Sequence, residues 1–196
     1  MTTVEPIWTR AETRALGWWA MLLVVATEGT LFATLLASYL YLRFKNVVWP
    51  PAGVDKPQVL LPCVATAFLL AAAGAMFLAA RALPRARVSA ARAGVAAALV
   101  CGVAFAMFQF LVVHADWGEF RPSGSAYGSI YYTVVAVLWA HAAAGVLLLG
   151  FCLGQLSRGS FRPVRRAALE VGALYTYFVA VAALAVLLTV YLSPQL

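Results

Sequence analysis

The sequence predicts an all-α membrane protein: one domain over residues 1–196, five transmembrane helices, N-terminus cytoplasmic and C-terminus outside. Three observations predict it. Hydrophobic residues make up 64% of the chain and charged residues 11%, where soluble domains hold about half and about a quarter. The apolar residues fall into five long runs separated by short polar or turn-rich segments. The basic residues lie in those segments and divide unevenly between the two sides.

Residues 1–16 form a polar lead-in. Trp8, Trp18 and Trp19 suit a membrane interface. A secretory signal is not expected, because Glu5, Arg10, Glu12 and Arg14 precede a run too long for a signal core. The first span, about 17–43, would be roughly 40 Å long as a helix, enough to cross a bilayer. Pro50, Pro51 and Pro57 break the chain after it. The second span is about 58–82, with Pro62 in its first turn, where a missing N–H costs little. A short basic loop, 83–91, leads to the third span, about 92–114, rich in Ala and Gly and so suited to close helix approach. The turn-rich loop 115–126 carries Asp116 and Glu119. The fourth span is about 127–153. Gly154, Gly159 and Pro163 mark the next loop, and the fifth span is about 166–192.

An odd number of spans puts the termini on opposite sides. One side holds Arg10, Arg14, Arg81, Arg85, Arg87, Arg92, Arg158, Arg162, Arg165 and Arg166, and the other Arg43, Lys45, Lys56 and Arg121. The first side is therefore expected to be cytoplasmic. The net charge of +7 belongs to these loops and does not indicate nucleic-acid binding.

Glu28 is the anomaly. A carboxyl near the middle of a span costs at least ~2.5 kcal/mol on the mildest scale. Helical rise puts Glu28 and Tyr177 each roughly 16 Å from the cytoplasmic side and His141 roughly 18 Å. The three are expected to share one layer, with Glu28 either neutral or paired. The cluster reads either as a polar clamp fixing helix packing or as a site that exchanges protons. Glu170, with Arg165 and Arg166 at the cytoplasmic edge, suits a lipid headgroup.

Several chemistries find no support. One central histidine does not provide facing haem ligands, and no His or Cys cluster provides a zinc or copper site. Cys63, Cys101 and Cys152 are isolated within apolar spans and read as packing residues. No phosphate loop or nucleophile–base pair is present. The spans show no inverted repeat of the transporter kind. No metal or redox cofactor is expected on this chain.

Three stretches carry a resemblance. They are ATEGTLFATLLASYLYLR (26–43), YGSIYYTVVAVLWAHAAAG (127–145) and EVGALYTYFVAVAALAVLLTVYL (170–192). Together they resemble subunit III of the haem-copper oxidases, both cytochrome c oxidase and the bo-type quinol oxidases, in the short five-helix form. Glu28 falls on the family's intramembrane glutamate. Tyr127, Gly128, Ser129, His141 and Gly145 follow its Y-G-S…H…G pattern, and Glu170, Tyr175, Phe178 and Val179 follow E-A-A-A-x-Y-W-H-F-V. The family's first histidine of a pair is Leu138 here, its W-H is Thr176-Tyr177, and its following aspartate is Ala180. The related accessory protein found beside nitric oxide reductases resembles the same stretches.

The resemblance implies a non-catalytic subunit in a bacterial cell membrane. Haem and copper would belong to partner subunits I and II. This chain would pack on subunit I, hold phospholipid and support proton uptake. An autonomous five-helix transporter and an oxidase assembly factor are the competing classes.

Overall fold

The computed structural model describes residues 10–85, 87–157 and 163–195, with side chains from 16 onward and, in the last segment, from 167 onward. The described residues hold five helices and no strand, with irregular connections at 46–59 and 120–125: α1 Arg10–Lys45, α2 Leu60–Ala82, α3 Val88–Glu119, α4 Ala126–Ser157 and α5 Pro163–Val186. α5 continues as a wide π-helical turn, Leu187–Leu192, and a 3-10 turn, Ser193–Gln195. Five helices are long and apolar enough to cross a membrane.

Every helix but α2 runs past the hydropathy limits of the sequence, and the three later loops are correspondingly shorter. The expected loop 83–91 is a single 3-10 turn, Leu83–Arg85, followed by α3 from Val88. The expected loop 115–126 contributes its first residues to α3. The reason lies in the side chains: buried Asp116 accepts a hydrogen bond from Tyr131, and the Trp117 ring packs 5.4 Å from that of Tyr132. Polar residues that have partners on α4 need not leave the helix.

α5 is the hub, packed against α1, α2 and α4, while α3 joins α2 to α4. Over their most apolar windows 56% of α5 is buried and only 6% of α1. α1 is therefore a peripheral helix lying on α4 and α5. The α2–α3 contact is the closest. A Cβ on Gly94 would stand 2.9 Å from both the carbonyl oxygen and the Cβ of Ala75 and Ala79 respectively. Glycine there lets two backbones approach where no side chain fits.

Two buried clusters fill the bundle. One, at the end carrying the 46–59 connection and the C-terminal turn, is aromatic, with Tyr39, Phe105, Tyr127, Tyr131 and Tyr191. The other is aliphatic, with Met76, Val95, Leu149 and Leu169. Arg92 reaches across the second end and donates to the carbonyl of Leu156 at 3.0 Å, satisfying one of the last carbonyls of α4. Cys152 is buried, and its thiol donates to the carbonyl of Ala168 at 3.3 Å.

Candidate functional site: a Glu–His pair at mid-span

Glu28 projects from α1 toward α4, where Nε2 of His141 stands 3.0 Å from its Oε2. The other ring nitrogen, Nδ1, lies 2.7 Å from the carbonyl oxygen of Val137, one turn back on α4. A carbonyl only accepts, so Nδ1 carries a proton and donates it there. Nε2 then meets the carboxyl in one of two ways. Either a neutral imidazole accepts from a protonated Glu28, or an imidazolium donates to a carboxylate. Each arrangement places one proton between the two atoms and leaves the pair with no net charge. Without that proton, two lone pairs would face each other at 3.0 Å. A pair neutral as a whole is what a low-dielectric layer tolerates.

Aromatic rings wall the pair. Phe32, one turn after Glu28, sets its ring 5.0 Å from the imidazole, edge-on, and Phe178 of α5 lies 6.3 Å from it. The Tyr175 hydroxyl donates to the carbonyl of His141 at 3.2 Å. Gly145 faces the same ring, where a Cβ would make an ordinary contact at 3.5 Å. The imidazole is enclosed, its side chain 13% exposed, whereas the Glu28 side chain is 35% exposed. The pair is thus closed by protein on the histidine side and open on the α1 side.

Of the three residues expected to share a layer, Glu28 and His141 meet and Tyr177 does not join them. Tyr177 packs on the aliphatic cluster of α2, α3 and α4. It follows Tyr175 by two residues, and two residues along an α-helix turn the side chain by about 200°. Tyr175 takes the place beside His141. The i, i+4 spacing of Glu28 and Phe32 was the signal available for the aromatic wall.

The remaining sequence candidates lie elsewhere. Glu170 is part-buried on α5 and makes an interaction of its own there. The side chains of Arg165 and Arg166 fall outside the described residues. Among the described residues no three His, Cys, Asp or Glu side chains converge to hold a metal ion.

Between Ala26 and Ser38 the outward face of α1 carries mostly small residues, interrupted by exposed Leu31, and its hydroxyls are self-satisfied. Thr27, Thr30, Thr34 and Ser38 each donate their hydroxyl to a carbonyl three or four residues back on the same helix. Gly29, Ala33 and Ala37 lie among them. Such a surface admits another helix closely without leaving a donor unpaired.

A family model described as cytochrome c oxidase subunit III matches residues 3–194, nearly the whole chain. The chain belongs to the cytochrome c oxidase subunit III family. It is a subunit of a terminal oxidase complex and a multi-pass membrane protein. Within this member of the subunit III family, the Glu28–His141 contact links the first and second of the three stretches on which the resemblance rests. The Tyr175–His141 contact links the second and third.

Proposed function

We propose that this chain is the non-catalytic subunit III of a haem-copper terminal oxidase in aerobic respiration, with Glu28 and His141 holding a proton at mid-membrane in support of proton uptake by the complex. Its N-terminus faces the cytoplasm of a bacterial cell. The haem and copper belong to subunits I and II. Subunit I is the main partner, and phospholipid fills apolar contact surfaces between them.

The observation that carries this reading is the half-open Glu28–His141 pair on the least buried helix. A carboxyl 35% exposed at that depth cannot be satisfied by hydrocarbon. Covered by a partner chain, it faces that chain with one carboxyl oxygen free to accept or pass on a proton. The small face of α1 beside it suits close packing against another helix.

The test is Glu28→Ala in the assembled oxidase. Subunit retention and sustained turnover fall, while the initial rate of oxygen reduction and the haem spectrum stay near wild type. Loss of the haem spectrum would overturn this assignment. So would purification of the wild-type chain without haem-bearing partners together with solute transport in liposomes.

A further inference from the structure

Between α3 and α4 lies a slot in which α1 takes no part. Its volume is about 280 Å³, and four of its nine lining side chains are aromatic: Phe110 and Trp117 of α3, Tyr132 and Trp139 of α4. Phe110, Trp117 and Trp139 are each about half exposed, so the slot opens sideways on the surface of the bundle. Trp117 stands at the end nearest the 120–125 connection. Trp139 stands at the other end, two residues from His141 and so about 3 Å from its layer.

One wall of the slot is polar. Gln109 of α3 lines it and is 2% exposed. The orientation of its amide follows from counting protons along a buried row of hydroxyls. Tyr131 gives its single proton to Asp116, so Tyr191, 3.2 Å from Tyr131, donates to Tyr131. Tyr191 is then left to accept, and the Gln109 amide nitrogen donates to it at 3.3 Å. This row holds the nitrogen in place and leaves the carbonyl oxygen, Oε1, to which no described residue donates. An amide carbonyl removed from water calls for a donor.

The neighbouring donors are committed elsewhere. The Tyr132 hydroxyl donates to the carbonyl of Phe120 at 3.0 Å, and the Trp139 indole N–H to that of Ala106 at 3.2 Å. The half-exposed Trp117 indole sits at the slot's end. The interior therefore offers ring faces and one acceptor.

That chemistry selects among membrane molecules. A hydrocarbon chain has no donor. The ester oxygens of a diacyl phospholipid only accept, and its donors sit in the headgroup. Gln109 lies ten residues before Glu119, the last of α3, roughly 15 Å in from that end and out of a headgroup's reach. A quinone would set its carbonyl against that of Gln109. The reduced form, a hydroquinone, carries O–H donors on a flat apolar ring, which aromatic side chains pack well.

We infer that the α3–α4 slot binds a membrane hydroquinone, with its ring among Phe110, Tyr132 and Trp139 and one hydroxyl donating to Oε1 of Gln109, and that it prefers this reduced form to the quinone. The contact is one of binding: no bond breaks and no electron moves on this chain. It holds whether or not the Glu28–His141 pair serves proton uptake.

The experiment is anaerobic binding of a decyl-substituted hydroquinone, and of its quinone, to the full chain in lipid nanodiscs, with empty nanodiscs as reference. The hydroquinone binds saturably and about three- to tenfold tighter than the quinone, the worth of one neutral hydrogen bond. Decanol, which has the donor without the ring, binds more weakly than the hydroquinone. Gln109→Leu removes the acceptor and brings the two redox forms to equal affinity. Ala136→Leu fills the slot from α4 without touching the acceptor and weakens both forms alike. Binding no greater than to empty discs overturns the inference. So do equal affinities of the two forms in the wild type, decanol binding as tightly as the hydroquinone, a preference kept in Gln109→Leu, or binding unchanged in Ala136→Leu. Should Gln109→Leu fail to fold, the wild-type ratio and Ala136→Leu decide.

Discussion

His141 is fixed by Val137 on one ring nitrogen and reads Glu28 with the other, 2.7 Å and 3.0 Å away respectively. The backbone bond removes the choice of tautomer. What remains between imidazole and carboxyl is one proton with two places to sit, inside a span with no other Asp, Glu, Lys or Arg from Gly17 to Leu42.

That arrangement predicts different outcomes at the two residues. Glu28→Gln keeps a donor, since the amide N–H can give its proton to Nε2, and should cost less than about 1 kcal/mol. His141→Leu leaves the carboxyl with no partner on α4 and should cost about 1–3 kcal/mol. Thermal unfolding of the purified chain in detergent measures both. Equal losses would mean that the proton between the pair has no part in its stability.

Tyr175 and Tyr177 give a second contrast. Tyr175→Phe deletes the bond to the carbonyl of His141 and should destabilise by about 0.5–1.5 kcal/mol. Tyr177→Phe, packed on the aliphatic cluster away from the pair, should leave turnover and Glu28–His141 coupling unchanged. A double-mutant cycle of each with His141→Leu reads the coupling. A larger coupling for Tyr177 would reverse the assignment.

The same two tyrosines mark what the sequence made legible. Span number followed directly from hydropathy, because twenty or so apolar residues have no other stable place. Depth followed from helical rise, and it brought Glu28 and His141 into one layer. Rotation about the helix axis did not follow, because it depends on which face each neighbour covers, and α5 is covered on three sides. Asp116 was read as a loop residue because hydropathy weighs an aspartate by its charge and not by its partner. Tyr131 supplies that partner from the next helix. Leu138, where the resembling family has a histidine, is 3% exposed within the aromatic cluster, so packing has replaced a polar group beside the pair.

The α2–α3 contact makes a steric prediction. Gly94→Ala would put a Cβ 2.9 Å from backbone of α2 and from the Ala79 Cβ, neither of which can move alone. The helices must separate, at about 1–3 kcal/mol. Gly74→Ala meets nothing within 4 Å and should stabilise α2 by about 0.5–1 kcal/mol through helix propensity. Opposite shifts in melting temperature are expected, and a neutral Gly94→Ala would show that the contact is looser than described.

The last prediction concerns how α1 is joined to the C-terminal turn. In an α-helix the carbonyl of Val190 would accept from the N–H four residues on, but that residue is Pro194, which has none, and the chain winds here as a π-helical turn. The Tyr39 hydroxyl donates to it instead, at 3.2 Å, and itself accepts the Trp49 indole N–H at 3.1 Å. Tyr39 is wholly buried, so Tyr39→Phe strands an acceptor and a donor together and should cost about 1–3 kcal/mol. Trp49→Phe removes the indole donor and leaves the bond to Val190 intact, so it should cost less through hydrogen bonding. Far-UV melting gives the ranking, and Trp49 emission in Tyr39→Phe reports the freed indole. If Trp49→Phe proves the more damaging, the ring's packing on Tyr39 and Tyr127, at 5.6 Å and 5.1 Å, outweighs the phenol's tie to the C-terminal turn.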